Sequence, residues 1–262
     1  MLSRETAQVF ADTDTSAIDS GLLWLVNADS PLSADFTPSQ LATYQGVQLH
    51  PAALSAFREM LAGMDSVGIT GLYLLSGYRS YDYQHALFSR KINTLIGEGH
   101  NRATAEVLAA QTVQRPGQSE HQLGLALDVT ISGQLTEDFA KTDAGRWLQA
   151  YSHQYGFIVR YPQGKTHITQ IVYEPWHLRY VGRPHASFMA ERAFTLEEYM
   201  AYLSENPMII IWGEEQSYYL VMLMDEYPAA IVMPADAVDI STNRPGEGMR
   251  YIITFRRMRG DL

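Results

Sequence analysis

The stretch from Ser119 to Asp128 reads Ser-Glu-His-Gln-Leu-Gly-Leu-Ala-Leu-Asp, and we expect it to form the centre of the fold. Its apolar second half is typical of a buried strand, and this strand would contain a carboxylate, Asp128. His121 and Asp128 stand seven positions apart, so an unbroken strand would send their side chains to opposite faces. Gly124 between them permits a bend, which would let His121 approach from a loop while Asp128 points inward. A carboxylate in such apolar surroundings needs a partner, so the stretch predicts a buried polar site.

A second group of polar residues occurs in Glu174-Pro175-Trp176-His177. Pro175 disfavours a helix interior, so Glu174 and His177 are expected to leave a strand at 170–173 on a tight turn that aims both at one point. Together the two segments supply two imidazoles and an aspartate, which leave the fourth position of a tetrahedral zinc ion open for water. That composition is typical of a catalytic zinc site. Glu174, held beside the metal, would take a proton from the water.

Other kinds of hydrolytic site are disfavoured by what the sequence lacks. The chain has no cysteine, so it offers no disulfide and no thiolate for catalysis or metal binding. It also lacks the Gly-x-Ser-x-Gly and Ser-x-x-Lys patterns of serine hydrolases and the His-Glu-x-x-His helix of many zinc proteases. If the chain hydrolyses amides, it would use a metal held by histidines and carboxylates from separate segments.

A hydrolase of this kind also needs a cation or donors for negative charge on the substrate and in the transition state. Arg79 is the candidate, because it follows a predicted buried strand in Ser76-Gly77-Tyr78-Arg79-Ser80 and stands where a helix should begin. Gln84 and Ser119 are neutral donors placed to help. Trp176 is predicted to pack and so to fix its turn, and Arg179 is predicted to be structural.

Composition excludes some partners. The 262 residues are 46% hydrophobic, which is enough to fill a sizeable core. With 19 basic and 29 acidic residues the formal charge is -10, which disfavours nucleic acid and anionic membrane surfaces as partners. We expect no nucleotide cofactor. No export signal or membrane-spanning run is visible near the start, so membrane attachment would need a leader that this sequence does not contain.

In the rest of the chain, the spacing of hydrophobic residues predicts an α+β fold. A small, mainly antiparallel sheet would carry the predicted metal ligands, and helices would flank it. Strands are predicted at 72–75, 125–130, 157–159 and 170–173, with helices after 51 and after the capping residues Ser80, Asn101 and Thr142. Residues 1–40 are expected to be an extended lead-in, and 41–190 the catalytic domain. Residues 195–262 are expected to form a small C-terminal α+β unit of unknown role, with one helix and three or four strands.

Three sequence blocks, in this order, allow a specific comparison with a known family: Ser-Gly-Tyr-Arg-Ser with Gln84, then Ser-x-His-x-x-Gly-x-Ala-x-Asp, then Glu-Pro-Trp-His-Leu-Arg-Tyr-Val-Gly. Over roughly residues 20–185 the chain resembles the VanY-type D-alanyl-D-alanine carboxypeptidase family, whose relatives include L,D-carboxypeptidases. The resemblance implies that Glu174 activates water and that Arg79 stabilises the transition state. It also implies substrate-carboxylate contacts from Ser119 and Gln84. By the same resemblance zinc would be held by His121, Asp128 and His177.

The activity that this resemblance implies is removal of the C-terminal D-alanine from peptidoglycan stem peptides, with D,D specificity favoured. The alternatives are an L,D-carboxypeptidase on tetrapeptide stems, a peptidoglycan endopeptidase, and a zinc-stabilised module that binds wall peptides without cleaving them. Retention of Glu174 argues against the binding module, because a purely structural metal needs no base. Since peptidoglycan lies outside the cytoplasmic membrane, an extracytoplasmic location is expected from the substrate.

Overall fold

The computed structural model describes residues 8–11, 22–213, 217–225, 230–233, 237–243 and 251–258. The chain divides into two compact units, one of them Leu25–Glu197 and the other formed by the residues before and after it. The predicted lead-in of residues 1–40 lies partly outside the described residues, but Gln8–Ala11 within it form strand β1. The assignment of a catalytic domain to 41–190 stays a prediction.

A four-stranded antiparallel sheet forms the centre of the Leu25–Glu197 unit. A hairpin of β2 (Ala42–Tyr44) and β3 (Val47–Leu49) comes first in the chain. The sheet itself consists of β4 (Tyr73–Ser76), β5 (Ala126–Thr130), β6 (Phe157–Tyr161) and β7 (Glu174–Tyr180). Its order is β4-β5-β7-β6, and every pairing is antiparallel. The predicted α+β class with a small antiparallel sheet is therefore confirmed.

Seven helices occur in the described part of the chain: α1 (Pro51–Ser66), α2 (Tyr81–Gly97), α3 (Arg102–Ala110), α4 (Asp143–Tyr151), α5 (Thr166–Thr169), α6 (Arg183–Arg192) and α7 (Leu196–Glu205). The predicted caps are confirmed, because the side chains of Ser80, Asn101 and Thr142 accept hydrogen bonds from backbone amides one turn on. Phe57 and Met60 of α1 belong to the same buried core cluster as the sheet residues Leu127 and Leu178. None of the described helices is long and apolar enough to cross a bilayer.

The second unit contains β8 (Met208–Trp212), β9 (Ser217–Met224), β10 (Ala230–Met233), β11 (Ala237–Asn243) and β12 (Tyr251–Met258). One sheet has the order β11-β12-β9-β8, and β10 pairs with β1. The sequence analysis missed β11, whose Asp239, Ser241 and Asn243 disfavour strands. Pairing with β12 overrides that local preference.

The segment around Pro175 differs from the prediction. Residues 170–173 form no strand, and Glu174 and His177 lie within β7 instead of on a turn after it. Proline is tolerated there because the pairing of β7 with β5 begins only at His177, while its register with β6 shifts between Val159 and Tyr161. The proline therefore leaves no gap in a regular ladder.

His185 in α6 makes the folded state sensitive to acid. It is buried, and burial lowers its pKa to about 4 from an ordinary value of 6.5. Because the unfolded chain takes up the proton first, this contribution to stability is complete above pH 6.5 and is lost as the pH falls toward 4. Between pH 7 and pH 5 we expect His185 to account for a loss of about 2 kcal/mol in the free energy of unfolding.

Urea unfolding at the two pH values, in the presence of a chelator, measures this loss. In His185→Gln the decrease between pH 7 and pH 5 should be smaller by that amount, since the side chain no longer titrates. An equal decrease in both proteins would show that another group carries the effect.

Candidate metal centre

Three separate segments bring their polar side chains together at the middle of the sheet. Asp128 on β5 stands directly opposite His177 on β7 and opposite Ser76 on β4. His121 comes from a short 3-10 turn, Glu120–Leu123, which leads into β5. Strand register therefore places one histidine beside the aspartate, and the turn brings in the other.

Gly124 ends the 3-10 turn with φ +71°, in the left-handed region. The bend predicted from this glycine is confirmed. A Cβ there would lie 2.9 Å from Cδ2 of Leu41 and 3.2 Å from the backbone nitrogen of His50, whose N–H donates to the Gly124 carbonyl. Both the backbone conformation and the lack of space thus require glycine at position 124, between His121 and Asp128.

We expect Gly124→Ala to destabilise the fold by about 1–3 kcal/mol, because alanine is strained at positive φ and has no room. Thermal unfolding followed by circular dichroism measures the change. Gly97→Ala at the end of α2 is the matched control, since it has a helical backbone and nothing within 4 Å of the added Cβ. That control should be neutral or slightly stabilising. Equal melting temperatures for the two variants would refute the account of Gly124.

The ligand atoms of His121, Asp128 and His177 lie within 4.8 Å of one another. Nδ1 of His177 lies 2.9 Å from Oδ1 of Asp128, and Nε2 of His121 lies 3.3 Å from Oδ2. Nδ1 of His121 is 2.6 Å from the carbonyl oxygen of Gly77, which fixes the ring and turns Nε2 toward the aspartate. The three predicted ligands therefore converge on one point.

This donor set fits a zinc ion. Nε2 of His121 is buried and lacks a hydrogen bond within the described part of the chain, so its lone pair has no protein partner. Two imidazole nitrogens and one carboxylate match the three protein ligands of catalytic zinc sites. The imidazoles favour zinc over magnesium or calcium, which prefer oxygen ligands.

The charges of the site depend on one another. Burial opposes ionisation of Asp128, but His121 and Arg79 hold the pKa of its carboxyl well below the usual range. Burial and the positive charge of Arg79 lower the pKa of His121 to about 4. Burial alone would also lower the pKa of His177, but hydrogen bonds to Asp128 and Glu120 raise it to about 9. The negative charge of Asp128 thus contributes to the pKa values of the neighbouring titratable groups.

Glu174 lies at the edge of this cluster. Its Oε2 is 3.8 Å from Nδ1 of His177, and its side chain is almost fully buried. Burial raises the pKa of Glu174 to about 8, and the negative charge of Asp128 adds to the increase. A cation bound in the cluster would lower the pKa of Glu174, because positive charge favours the ionised carboxylate.

Arg79 contacts the cluster directly. One of its terminal nitrogens pairs with Oδ2 of Asp128, and its Nε donates to Oγ of Ser76 at 3.0 Å. Its backbone N–H donates to the carbonyl of His121 at 3.2 Å. The guanidinium is therefore held beside the predicted ligands, as the sequence analysis expected.

A cavity of about 410 Å³ opens on the cluster. It is lined by the predicted residues Arg79, Gln84, His121, Asp128, Glu174 and His177, together with Leu87, Lys91, Thr112, Val113, Gln114, Leu135, Tyr161, Ile171, Val172 and Trp176. Trp176 also packs against the main core, as predicted. Apolar and charged side chains thus line the same cavity, and a concave site with convergent polar groups is typical of small-molecule binding.

The two predicted carboxylate contacts are placed differently. Gln84 lines the cavity, but its side-chain nitrogen donates to the carbonyl of Gln114 at 2.7 Å, and its buried oxygen has no hydrogen bond to any residue that the structure describes. Ser119 is buried, its hydroxyl has no hydrogen-bond partner among the same described residues, and it is not one of the lining residues. Their roles stay predictions.

Sequence reasoning missed Glu120, which lies directly before His121. Its side chain is fully buried, and its Oε1 is 3.4 Å from Nε2 of His177. Arg160 and Arg179 both donate to its Oε2. The available signal was a carboxylate beside a predicted ligand, together with an arginine in each of two predicted strand regions.

Comparisons with known proteins agree with this geometry. Residues 46–183 match the family model described as VanY, D-alanyl-D-alanine carboxypeptidase. A D-alanyl-D-alanine carboxypeptidase of Enterococcus faecium is 38% identical over 62% of the chain and 47% of its own length. One from Enterococcus faecalis (strain ATCC 700802 / V583) is 35% identical over 68% of the chain and 65% of its own length. The chain thus spans about half to two thirds of these relatives.

Solved structures extend the likeness. The vancomycin resistance D,D-pentapeptidase VanY, as a mutant in complex with Zn(II), is 33% identical with a TM-score of 0.62, over 68% of this chain and 98% of that one. The LdcB LD-carboxypeptidase is 35% identical with a TM-score of 0.62, over 70% and 86%. The D,D-dipeptidase VanXYg, at 24% identity, shares the fold with a TM-score of 0.74 over 90% and 94%.

Proposed function

The chain belongs to the VanY D-alanyl-D-alanine carboxypeptidase family, and from this premise we propose that it is a zinc-dependent D,D-carboxypeptidase that removes the C-terminal D-alanine from peptidoglycan stem peptides. The observation that carries the proposal is the convergence of His121, Asp128 and His177 within 4.8 Å, with Glu174 on the same strand as His177. Its site of action would be the cell envelope, because that is where peptidoglycan lies.

In this reaction the protein supplies a base and a cation. When bound, zinc would polarise the scissile carbonyl and lower the pKa of a water molecule. Glu174 accepts the proton of the attacking water and returns it to the leaving amine. Arg79, held by Asp128 and Ser76, neutralises the negative charge that develops on the carbonyl oxygen.

An L,D-carboxypeptidase that acts on tetrapeptide stems is the second candidate. Its support is the likeness to LdcB, which is as close in identity as the likeness to the D,D enzymes. The two specificities differ in the configuration of the residue before the scissile bond, and the shape of the cavity at that residue determines which is accepted. D,D specificity is favoured because the family description and the Enterococcus relatives carry that activity in their names.

The deciding experiment incubates the protein with purified pentapeptide and tetrapeptide stems, with added zinc or with a chelator, and follows the products by mass spectrometry. Loss of one D-alanine from the pentapeptide, blocked by the chelator, is the expected result. Shortening of the tetrapeptide alone would replace the D,D assignment with L,D. Cleavage of neither stem by zinc-loaded protein would overturn the proposal in favour of an endopeptidase or a binding module.

A further inference from the structure

Four charged side chains lie behind His177, on the side away from Asp128. They are Glu120, Arg160, Arg179 and Glu197, here named the anchor cluster. They come from four elements: the 3-10 turn, β6, β7 and the first turn of α7. The first three are at most 1% exposed, and the side chain of Glu197 is 15% exposed. The proposed reaction uses none of them.

Stability alone does not explain the anchor cluster. Each buried ion loses several kcal/mol of hydration, and buried ion pairs often contribute no more stability than apolar residues of the same volume. The cluster is balanced, with two carboxylates and two guanidinium groups, so it adds no net charge near the metal ligands. Such a costly but neutral arrangement indicates a role in orienting a neighbour.

The hydrogen bonds of Glu120 give it one orientation. Its Oε2 accepts from Nε of Arg160 at 3.0 Å and from Nη1 of Arg179 at 2.8 Å. The other two nitrogens of Arg160 donate to the two oxygens of Glu197, at 2.9 and 2.6 Å. Arg160 is thus held between two carboxylates in a bidentate geometry. The remaining oxygen of Glu120, Oε1, faces Nε2 of His177 at 3.4 Å.

A carboxylate faces each nitrogen of the His177 ring, since Nδ1 lies 2.9 Å from Oδ1 of Asp128 and Nε2 lies 3.4 Å from Oε1 of Glu120. When zinc displaces the proton of Nδ1, Glu120 would keep the other proton on Nε2 and leave the lone pair of Nδ1 to the metal. Zinc ligation requires that lone pair, and in metalloenzymes a partner of the second ring nitrogen commonly selects it. The turn that contains Glu120 also contains His121, so one short segment supports both imidazoles.

We propose that Glu120 is a positioning residue that holds His177 in the tautomer with Nδ1 free for zinc, and that Arg160, Arg179 and Glu197 hold Glu120 in place. The inference rests on the proposed zinc site. Glu120 is not one of the cavity-lining residues, and the predicted ligand that its side chain contacts is His177.

Glu120→Gln tests the proposal without changing the shape of the side chain. The two arginines require an acceptor, so the amide oxygen of the variant would face them and its NH₂ group would face His177. The ring would then have to accept at Nε2 and carry its proton on Nδ1, where zinc should bind. We expect zinc affinity, measured by competition with a chromogenic chelator, to fall about 10- to 100-fold. In the zinc-loaded protein, the Nε2 proton of His177 should give a downfield ¹H signal from its hydrogen bond to Glu120, and in Glu120→Gln this signal should move upfield or disappear.

Glu98→Gln, at an exposed position after α2, is the control and should bind zinc like the unmodified chain. Circular dichroism and thermal unfolding establish that each variant is folded. A folded Glu120→Gln with unchanged zinc affinity and an unchanged Nε2 proton signal of His177 would overturn the proposal. If Glu120→Gln does not fold, Glu197→Gln decides the question: weaker zinc binding is expected, and unchanged affinity overturns the proposal. Neither readout needs turnover, so failure of stem cleavage would affect only the proposed function.

Discussion

Glu174→Gln should lower the turnover of stem peptides by about 10²- to 10⁴-fold, which is the usual contribution of a general base, while zinc stays bound. Glutamine has nearly the same shape but cannot take a proton from water. Because Oε2 of Glu174 lies 3.8 Å from Nδ1 of His177 and the residue stands outside the three-ligand cluster, its loss should spare the metal. The two quantities to measure are kcat, from D-alanine release, and zinc content, from elemental mass spectrometry.

Glu98→Gln serves as the control for this experiment too, because it makes the same chemical change at an exposed position. It should retain the activity of the unmodified chain. Full turnover by a zinc-loaded Glu174→Gln protein would sink the assignment of Glu174 as the base. Loss of zinc together with activity would instead make Glu174 a ligand or a support for one.

His177→Ala should abolish zinc binding and turnover together. The substitution removes one of three ligands, and it leaves Asp128 and Glu120 as buried carboxylates that have each lost a hydrogen bond. The loss of zinc affinity should exceed the roughly 100-fold cost of losing a supporting residue. Chelator competition and D-alanine release measure the two effects, and added zinc should not restore activity.

His100→Ala is the matched control, since His100 is exposed and lies outside the cavity-lining residues. Circular dichroism separates metal loss from unfolding, because the uncompensated charges also weaken the fold. A folded His177→Ala protein that binds one zinc ion with unchanged affinity would contradict the proposed ligand set.

Local chemistry made much of the fold predictable. The caps at Ser80, Asn101 and Thr142 follow from side chains that can accept backbone hydrogen bonds, and each begins a helix in the structure. The apolar run before Asp128 forms β5 because it can be buried on both faces. The prediction of a turn around Pro175 was wrong. A proline is locally a signal for the end of a strand, but the shifted register between β6 and β7 accommodates it.

The anchor cluster marks the limit of sequence reasoning about the site. Glu120, Arg160 and Glu197 are separated by about 40 residues at each step, and no local pattern joins them. An arginine in a strand is ordinarily interpreted as a solvent-facing residue. Only the pairing of β6 with β7, together with the contact between Arg160 and Glu197, gives each charge its partner.

By itself the sequence determined which residue types are available for chemistry: two histidines, an aspartate, a glutamate and an arginine in three ordered blocks, with no cysteine or serine motif to compete. It also determined the bend at Gly124, because only glycine adopts that conformation without strain. The tertiary structure decided which nitrogen of each histidine faces the site and which oxygen fixes the ring, the carbonyl of Gly77 for His121 and the carboxylate of Glu120 for His177. Those choices depend on hydrogen-bond partners that are distant in sequence, and contacts of that kind form only when the strands pair and the side chains are removed from water.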